Sequence, residues 1–140
     1  MTTSPVPGRI ADYPPGVREN GGQYSHGSSW LVDAATRLAQ EAEAEGDAMT
    51  AARLRDRAFE LWCKISPLGK TEPALLDRYG LPPHQQPADI YCGPGYELHG
   101  GWSWYTGAAG RMLCAAHGML GLRLVGGELV LDPDATRRSG

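Results

Sequence analysis

A mainly α-helical chain that closes on a β-hairpin is the fold class this sequence predicts, and three observations predict it. Small and apolar residues recur at helical spacing in three separate segments. Two short aliphatic runs near the carboxy terminus flank Gly126-Gly127, a pair that supplies the positive φ angles of a two-residue hairpin turn. The 19 glycines and 11 prolines gather mainly in residues 5–22 and 80–101, so the remaining segments are free to form long regular elements.

The first helix is expected over residues 25–45, where Leu31, Ala34, Ala35, Leu38 and Ala42 share one face. Gly46-Asp47 then makes a tight turn: glycine ends one helix, and the Asp47 carboxylate caps the free amides of the next. The second helix, residues 48–65, turns Leu54, Ala58, Leu61, Trp62 and Ile65 inward, and Ser66-Pro67 stops it because proline cannot donate into a helix. Glu72-Pro73 opens and Gly80 closes a short helix over residues 73–79. Residues 81–101 are expected as a long irregular loop, a length that usually signals function. A third long helix is expected over residues 105–119, with Ala108, Ala109, Met112, Ala115, Ala116 and Met119 at helical period and enough small residues for close packing. The hairpin, residues 122–125 and 128–131, needs other elements to cover Leu122, Leu124, Leu129 and Leu131, since two strands alone are marginal. Residues 132–140 read as a tail.

Composition narrows the function classes. With 140 residues the chain holds one domain, and 13 basic against 16 acidic residues, spread rather than blocked, make no cationic stripe for nucleic acid. No apolar run approaches bilayer length and the amino terminus lacks the order of an export signal, so a cytoplasmic location is the expectation. Cys63, Cys92 and Cys114 are odd in number and widely spaced, which points to reduced thiols; with His26, His84, His99 and His117 they show no zinc-ligand spacing, and no metal or cofactor is expected.

Chemistry concentrates in three clusters: residues 14–26, PPGVRENGGQYSH; residues 70–73, KTEP; and residues 100–110, GGWSWYTGAAG. Arg18 and Glu19 beside Gly21-Gly22 offer a cation and an acceptor next to exposed backbone, a composition suited to hydroxyl groups, although a salt-bridged helix entry has the same composition. Trp102, Trp104 and Tyr105 after paired glycines suit the apolar face of a sugar ring, or else the packing between helices. Thr106-Gly107 at a helix start, with His26 as a further donor, makes an anion site or a simple cap.

Taken together, residues 14–26, 81–113 (LPPHQQPADIYCGPGYELHGGWSWYTGAAGRML) and 118–122 (GMLGL) resemble the carboxy-terminal part of the glycoside hydrolase family 94 catalytic domain. That family, formerly glycosyltransferase family 36, includes cellobiose phosphorylases and the phosphorylase-like domain of cyclic β-1,2-glucan synthases. The resemblance runs from about residue 9 to 133, across the single domain expected here: a helical part of about 9–120 and a hairpin of about 121–132. It implies a partial (α/α)6 barrel, represented by its closing helices, and inverting phosphorolysis in which phosphate attacks the anomeric carbon while a carboxylic acid protonates the leaving oxygen. It further implies that His26, Thr106 and Gly107 bind phosphate, the co-substrate, and that Arg18, Glu19, Trp102 and Trp104 serve the sugar.

The departures from the family pattern shape the expectation. The DWNDG-like motif carrying the general acid does not occur in these residues, so the acid is expected upstream and the chain alone is expected to be inert. His99 stands where an arginine is usual, and Arg111 where an aromatic is usual. The expected role is a carbohydrate-active domain fragment acting with a β-glucoside or β-glucan and phosphate. The alternatives are a non-catalytic sugar- or phosphate-binding module, a helical module docking on a chain that completes the barrel, or the product of a truncated gene.

Overall fold

The computed structural model describes residues 8–103, 109–111, 113–119 and 121–131. Its frame is an antiparallel helix pair, α1 (Ser25–Ala44) and α2 (Ala48–Ile65). The turn between them forms as its chemistry dictates: Asp47 Oδ1 accepts from the Thr50 amide at 3.0 Å, and Gly46 takes φ 84°. Those hydrogen bonds, from the Thr50 backbone above all, hold the Asp47 carboxyl below its ordinary range.

The buried face of α1 is only partly the expected one, keeping Ala35 and Ala42 but not Leu31, Ala34 or Leu38. Ser29, Val32, Ala35, Thr36, Ala39 and Ala42 are inside, whereas Leu31 and Leu38 are 59% and 51% exposed and Ala34 is also outside. The reason is that α1 is gripped from two sides, by α2 and by a π-helical turn, Cys114–Met119. Two neighbours at close range select small residues, so the leucines face away. Gly118 lies against Thr36, Gly110 against Ser29, and the Cys114 Sγ donates to the Ser29 carbonyl at 2.8 Å. Thr36 returns its own hydroxyl to the Val32 and Asp33 carbonyls. Val32, Ala35, Ala58 and Cys114 form the core, with Leu61 and Trp62 packed on it.

Within α2, Ala51, Ala58 and Ile65 are buried and Leu54, Leu61 and Trp62 half-buried, close to expectation. Lys70 caps its end, donating to the Cys63 and Ser66 carbonyls at 2.8 and 2.6 Å. The short helix α3 is Leu76–Tyr79, preceded by turns rather than starting at residue 73. The third long helix is only partly as expected: residues 109–111 and 113 are helical, but the backbone then widens into the π-helical turn, and residues 104–108 lie outside the described residues. Arg111 sets its guanidinium 5.7 Å from the Trp62 ring, beside α2.

The segment expected as an irregular loop is mostly irregular, as expected, but it carries one short β excursion. Strand β2 (Asp89–Ile90) pairs antiparallel with β1 (Gln23–Tyr24), Gln23 opposite Ile90 and Tyr24 opposite Asp89. The chain then doubles back, so that Ile90 bridges Gly100 and Pro87 bridges Ser103. The carboxy-terminal hairpin, β3 (Leu122–Val125) and β4 (Glu128–Leu131), forms in the expected register, with Leu124, Leu129 and Leu131 exposed. Among the described residues no helix is long and apolar enough to cross a membrane.

Gly16 and Gly93 are the closest joint between the 14–22 loop and the β excursion. A Cβ on Gly16, which already has φ 81°, would stand 2.6 Å from the Gly93 Cα and 2.9 Å from the Cys92 carbonyl carbon. Backbone cannot retreat as a side chain can. Gly16→Ala is therefore expected to cost about 2 kcal/mol or more, read as a lowered midpoint in a denaturant or thermal melt, because both space and φ oppose the methyl group.

Candidate functional site

The site is built around Arg18. Its loop is wound tightly: the Gly16 amide donates to the Asn20 carbonyl at 2.7 Å, the Asn20 amide to Val17 at 3.1 Å, and the Gly22 amide to Arg18 at 2.8 Å. The Asn20 side chain adds a bond to the Tyr13 carbonyl at 2.8 Å. To satisfy these turns Arg18 itself adopts φ 52°, a left-handed conformation uncommon for a residue with a Cβ. Strain of this kind persists where the surroundings over-determine the backbone.

The strained residue is aimed. Its guanidinium carbon lies 4.3 Å from the Trp102 ring centroid and 5.9 Å from that of Tyr13, which places the cation against the electron-rich face of an indole. Glu19 Oε2 is 3.8 Å from Arg18 Nε, and the Tyr91 hydroxyl lies within hydrogen-bonding reach. Burial works against the guanidinium charge, but the nearby negative groups, Asp89 first and then Glu19, together with Tyr91, outweigh it and raise the Arg18 pKa above its ordinary value. The arginine is thus fixed in place and in charge. Trp102 keeps 60% of its surface exposed and the Glu19 side chain 58%.

Asp89 was not singled out by sequence reasoning, although it sits inside the recognised segment. It is 6% exposed, and its Oδ1 has no hydrogen-bond partner. Burial pushes its carboxyl above the usual carboxylate range, with Glu19 adding to the rise and Arg18 and His99 opposing it. Gly101 makes room for it: any Cβ at position 101 would overlap the Asp89 carboxylate, and would stand 3.1 Å from the Tyr91 hydroxyl. The paired glycines at 100 and 101 are therefore explained by a buried carboxylate and by Gly100 pressing on Leu81 and the Tyr79 carbonyl. The signal in the sequence was Asp89 flanked by apolar residues, which is weak by itself.

The other expected residues fall as follows. Arg18, Glu19 and Trp102 are brought together. His26, in the first turn of α1, stacks edge-on against Trp30 at 5.1 Å and tilts against Tyr24 at 6.3 Å. Its Nδ1 is 3.5 Å from where a Cβ on Gly110 would lie, so the helix at residues 109–111 presses on the start of α1. Trp104, Thr106 and Gly107 lie outside the described residues. His99, in the usual arginine position, packs 5.5 Å from Tyr91 with its Nδ1 3.3 Å from the Arg78 carbonyl oxygen. Among the described residues no group of three or more His, Cys, Asp and Glu side chains could hold a metal ion.

Chemically, a pinned guanidinium, an exposed carboxylate and an exposed indole make a surface for a polyhydroxylated ring: the charged groups exchange hydrogen bonds with hydroxyls while the aromatic covers the apolar face. The raised Asp89 pKa carries a stability consequence with a definite sign. A carboxyl that titrates higher in the folded than in the unfolded chain supports folding most when protonated, so its contribution falls as pH rises from the ordinary carboxylate value through the raised one. Asp89→Asn is thus expected to gain thermal stability relative to the native chain as pH goes from acid to neutral, and a difference that stays flat or reverses would show that Arg18 offsets the burial.

Comparison of the sequence with known proteins identifies its family. The model of the glycosyl hydrolase 94 superfamily catalytic domain matches residues 2–121. The cyclic β-(1,2)-glucan synthase NdvB of Rhizobium meliloti (strain 1021) is 39% identical over 137 residues, which is 94% of this chain and 4% of that protein. The chain thus spans only a small fraction of its relative's length. With the family model matching most of its residues, the chain belongs to the glycosyl hydrolase 94 superfamily, whose catalytic domain that model describes.

Proposed function

We propose that the chain forms one wall of a site for β-glucosides and phosphate, in a domain that carries out inverting glycosyl transfer to or from phosphate. The observation that carries the reading is Arg18 stacked on Trp102 and held by Asp89, Glu19 and Tyr91, in a member of this superfamily. The relative's name supplies the sugar class: β-1,2-linked glucan is the ligand to test first. Trp102 covers a glucosyl ring face and Glu19 and Arg18 take its hydroxyls, with Trp104 extending the aromatic wall.

Phosphate is held by His26, by the Thr106 hydroxyl and by the Gly107 amide. His26 supports this part of the reading by its place beside Gly110, which brings the first turn of α1 against the helix that follows position 107. The general acid comes from sequence outside these 140 residues, and the chain supplies binding and positioning rather than proton transfer. A docking role for the helices is compatible with the same chemistry and is favoured by one observation: Trp30, Leu31 and Leu38 on α1 are all more than half exposed, an apolar stripe suited to a complementary part of the barrel.

Calorimetric titration with a β-1,2-linked glucose disaccharide tests the sugar half. Arg18→Ala and Trp102→Ala are each expected to weaken binding by about tenfold or more, on the order of a lost charge-assisted hydrogen bond or aromatic contact; equal affinity in both variants sinks the assignment. In a longer polypeptide that includes the catalytic aspartate, Thr106→Val and His26→Ala are expected to lower phosphate affinity, and retention of that affinity in both removes them from the site. Glucose 1-phosphate release by the 140-residue chain itself is expected to be undetectable in a coupled assay.

A further inference from the structure

One cation takes no part in the Arg18 site. Arg111 stands on the helical stretch that includes residues 109–111, at the position where the family pattern has an aromatic, and it is half-buried. Its Nε is enclosed and has no hydrogen-bond partner. Burial works against its charge, and the group that opposes the loss is the Tyr79 phenol; no carboxylate does so among the described residues. A guanidinium drawn partly out of water without a counter-charge is less stable than one that has it.

Two neighbours from other elements share the shortfall. Trp62, in the last turn of α2, has its ring centroid 5.7 Å from the Arg111 Cζ, and its Nε1 is enclosed without a partner. Tyr79, at the end of α3, is fully buried, and its hydroxyl is unpartnered as well. Burial pushes that phenol up to about 12, so it keeps its proton and can donate. An indole and a guanidinium only donate, so the set is short of acceptors.

Three donors and one positive charge select an anionic oxygen. A planar guanidinium matches the paired oxygens of a carboxylate or phosphate, and the indole N–H and phenol beside it lose stability when enclosed against hydrocarbon. We infer that Arg111, Trp62 and Tyr79 form a site for one small dissolved oxyanion, a carboxylate or phosphate, built from none of the residues assigned to glucose or to the reacting phosphate. The aromatic usual at that position carries no such charge, so the site belongs to this chain's own arginine.

Sodium phosphate and sodium acetate are the probes, each titrated into the 140-residue chain at an ionic strength held constant with sodium chloride. The Trp62 indole N–H resonance, identified by its loss in Trp62→Phe, is expected to move and saturate with at least one of them; saturation by acetate assigns a carboxylate site, and by phosphate alone a phosphate site. Arg111→Met, which keeps bulk and removes charge, is expected to weaken the affinity read from that response by about tenfold or more. In buffer free of both ions it is expected to melt no lower than the native chain, because a poorly compensated cation has gone. Tyr79→Phe removes one donor and little volume, and is expected to weaken the same affinity even if Arg111→Met fails to fold. His26→Ala is expected to leave the Trp62 response in place, and its abolition there overturns a site separate from the one at His26, Thr106 and Gly107. A Trp62 resonance that neither ion saturates, or that saturates equally in the native chain, Arg111→Met and Tyr79→Phe, overturns the site and leaves Arg111 as packing on the indole.

Discussion

The pairing of Gln23–Tyr24 with Asp89–Ile90 is the contact on which the rest of the site depends. It joins segments more than sixty positions apart in the chain, at the one place where the entry to α1 and the β excursion touch edge to edge. Through it the strained loop carrying Arg18 is set against Asp89, Tyr91 and Trp102, and the Ser25 amide that opens α1 is satisfied by the Ala88 carbonyl at 2.8 Å. A two-residue ladder is weak by itself. Here it is reinforced by the Gly16–Gly93 approach, by the Cys92 amide donating to Gly16 at 3.0 Å, and by Gln86, whose side-chain amide reaches the Ile65 carbonyl at the end of α2 at 2.7 Å.

That arrangement explains why charge and strain occur together. A guanidinium packed on an indole loses water on one side, and the loss is tolerated because a carboxylate stands behind it and a second stands beside it. The carboxylate behind, Asp89, is itself displaced upward in pKa by burial, a shift that Arg18 opposes. Tyr91 completes the surroundings of this pair, with its phenol held above its ordinary pKa, by burial first and by Asp89 next.

How much of this was legible depended on the range of the interaction concerned. The ends of α1 and α2 could be read because caps and stops are local: Gly46-Asp47 and Ser66-Pro67 act within a few residues. The buried face of α1 could not, because Leu31 and Leu38 are apolar and well spaced yet face outward once two neighbours demand small residues at Ser29, Ala35 and Gly118. Strands of two residues leave no periodicity to detect, so β1 and β2 were hidden in glycine- and proline-rich text. Asp89 was hidden with them, since a carboxylate reveals its importance only when burial and an arginine from elsewhere in the chain reach it.

By itself the sequence determined the helical class, the two turns that bound α2, the terminal hairpin and, through the ENGG and GGWSW segments, the superfamily and three members of the Arg18 cluster. Those properties follow from neighbours along the chain or from strings of residues that stand intact. Tertiary structure alone decided which face of α1 is inside, that Arg18 adopts a left-handed backbone, and that Asp89, Tyr91 and Gly101 complete its surroundings. Each of these is the outcome of competition for space and for compensating charge among segments distant in sequence, and such competition has no local signature.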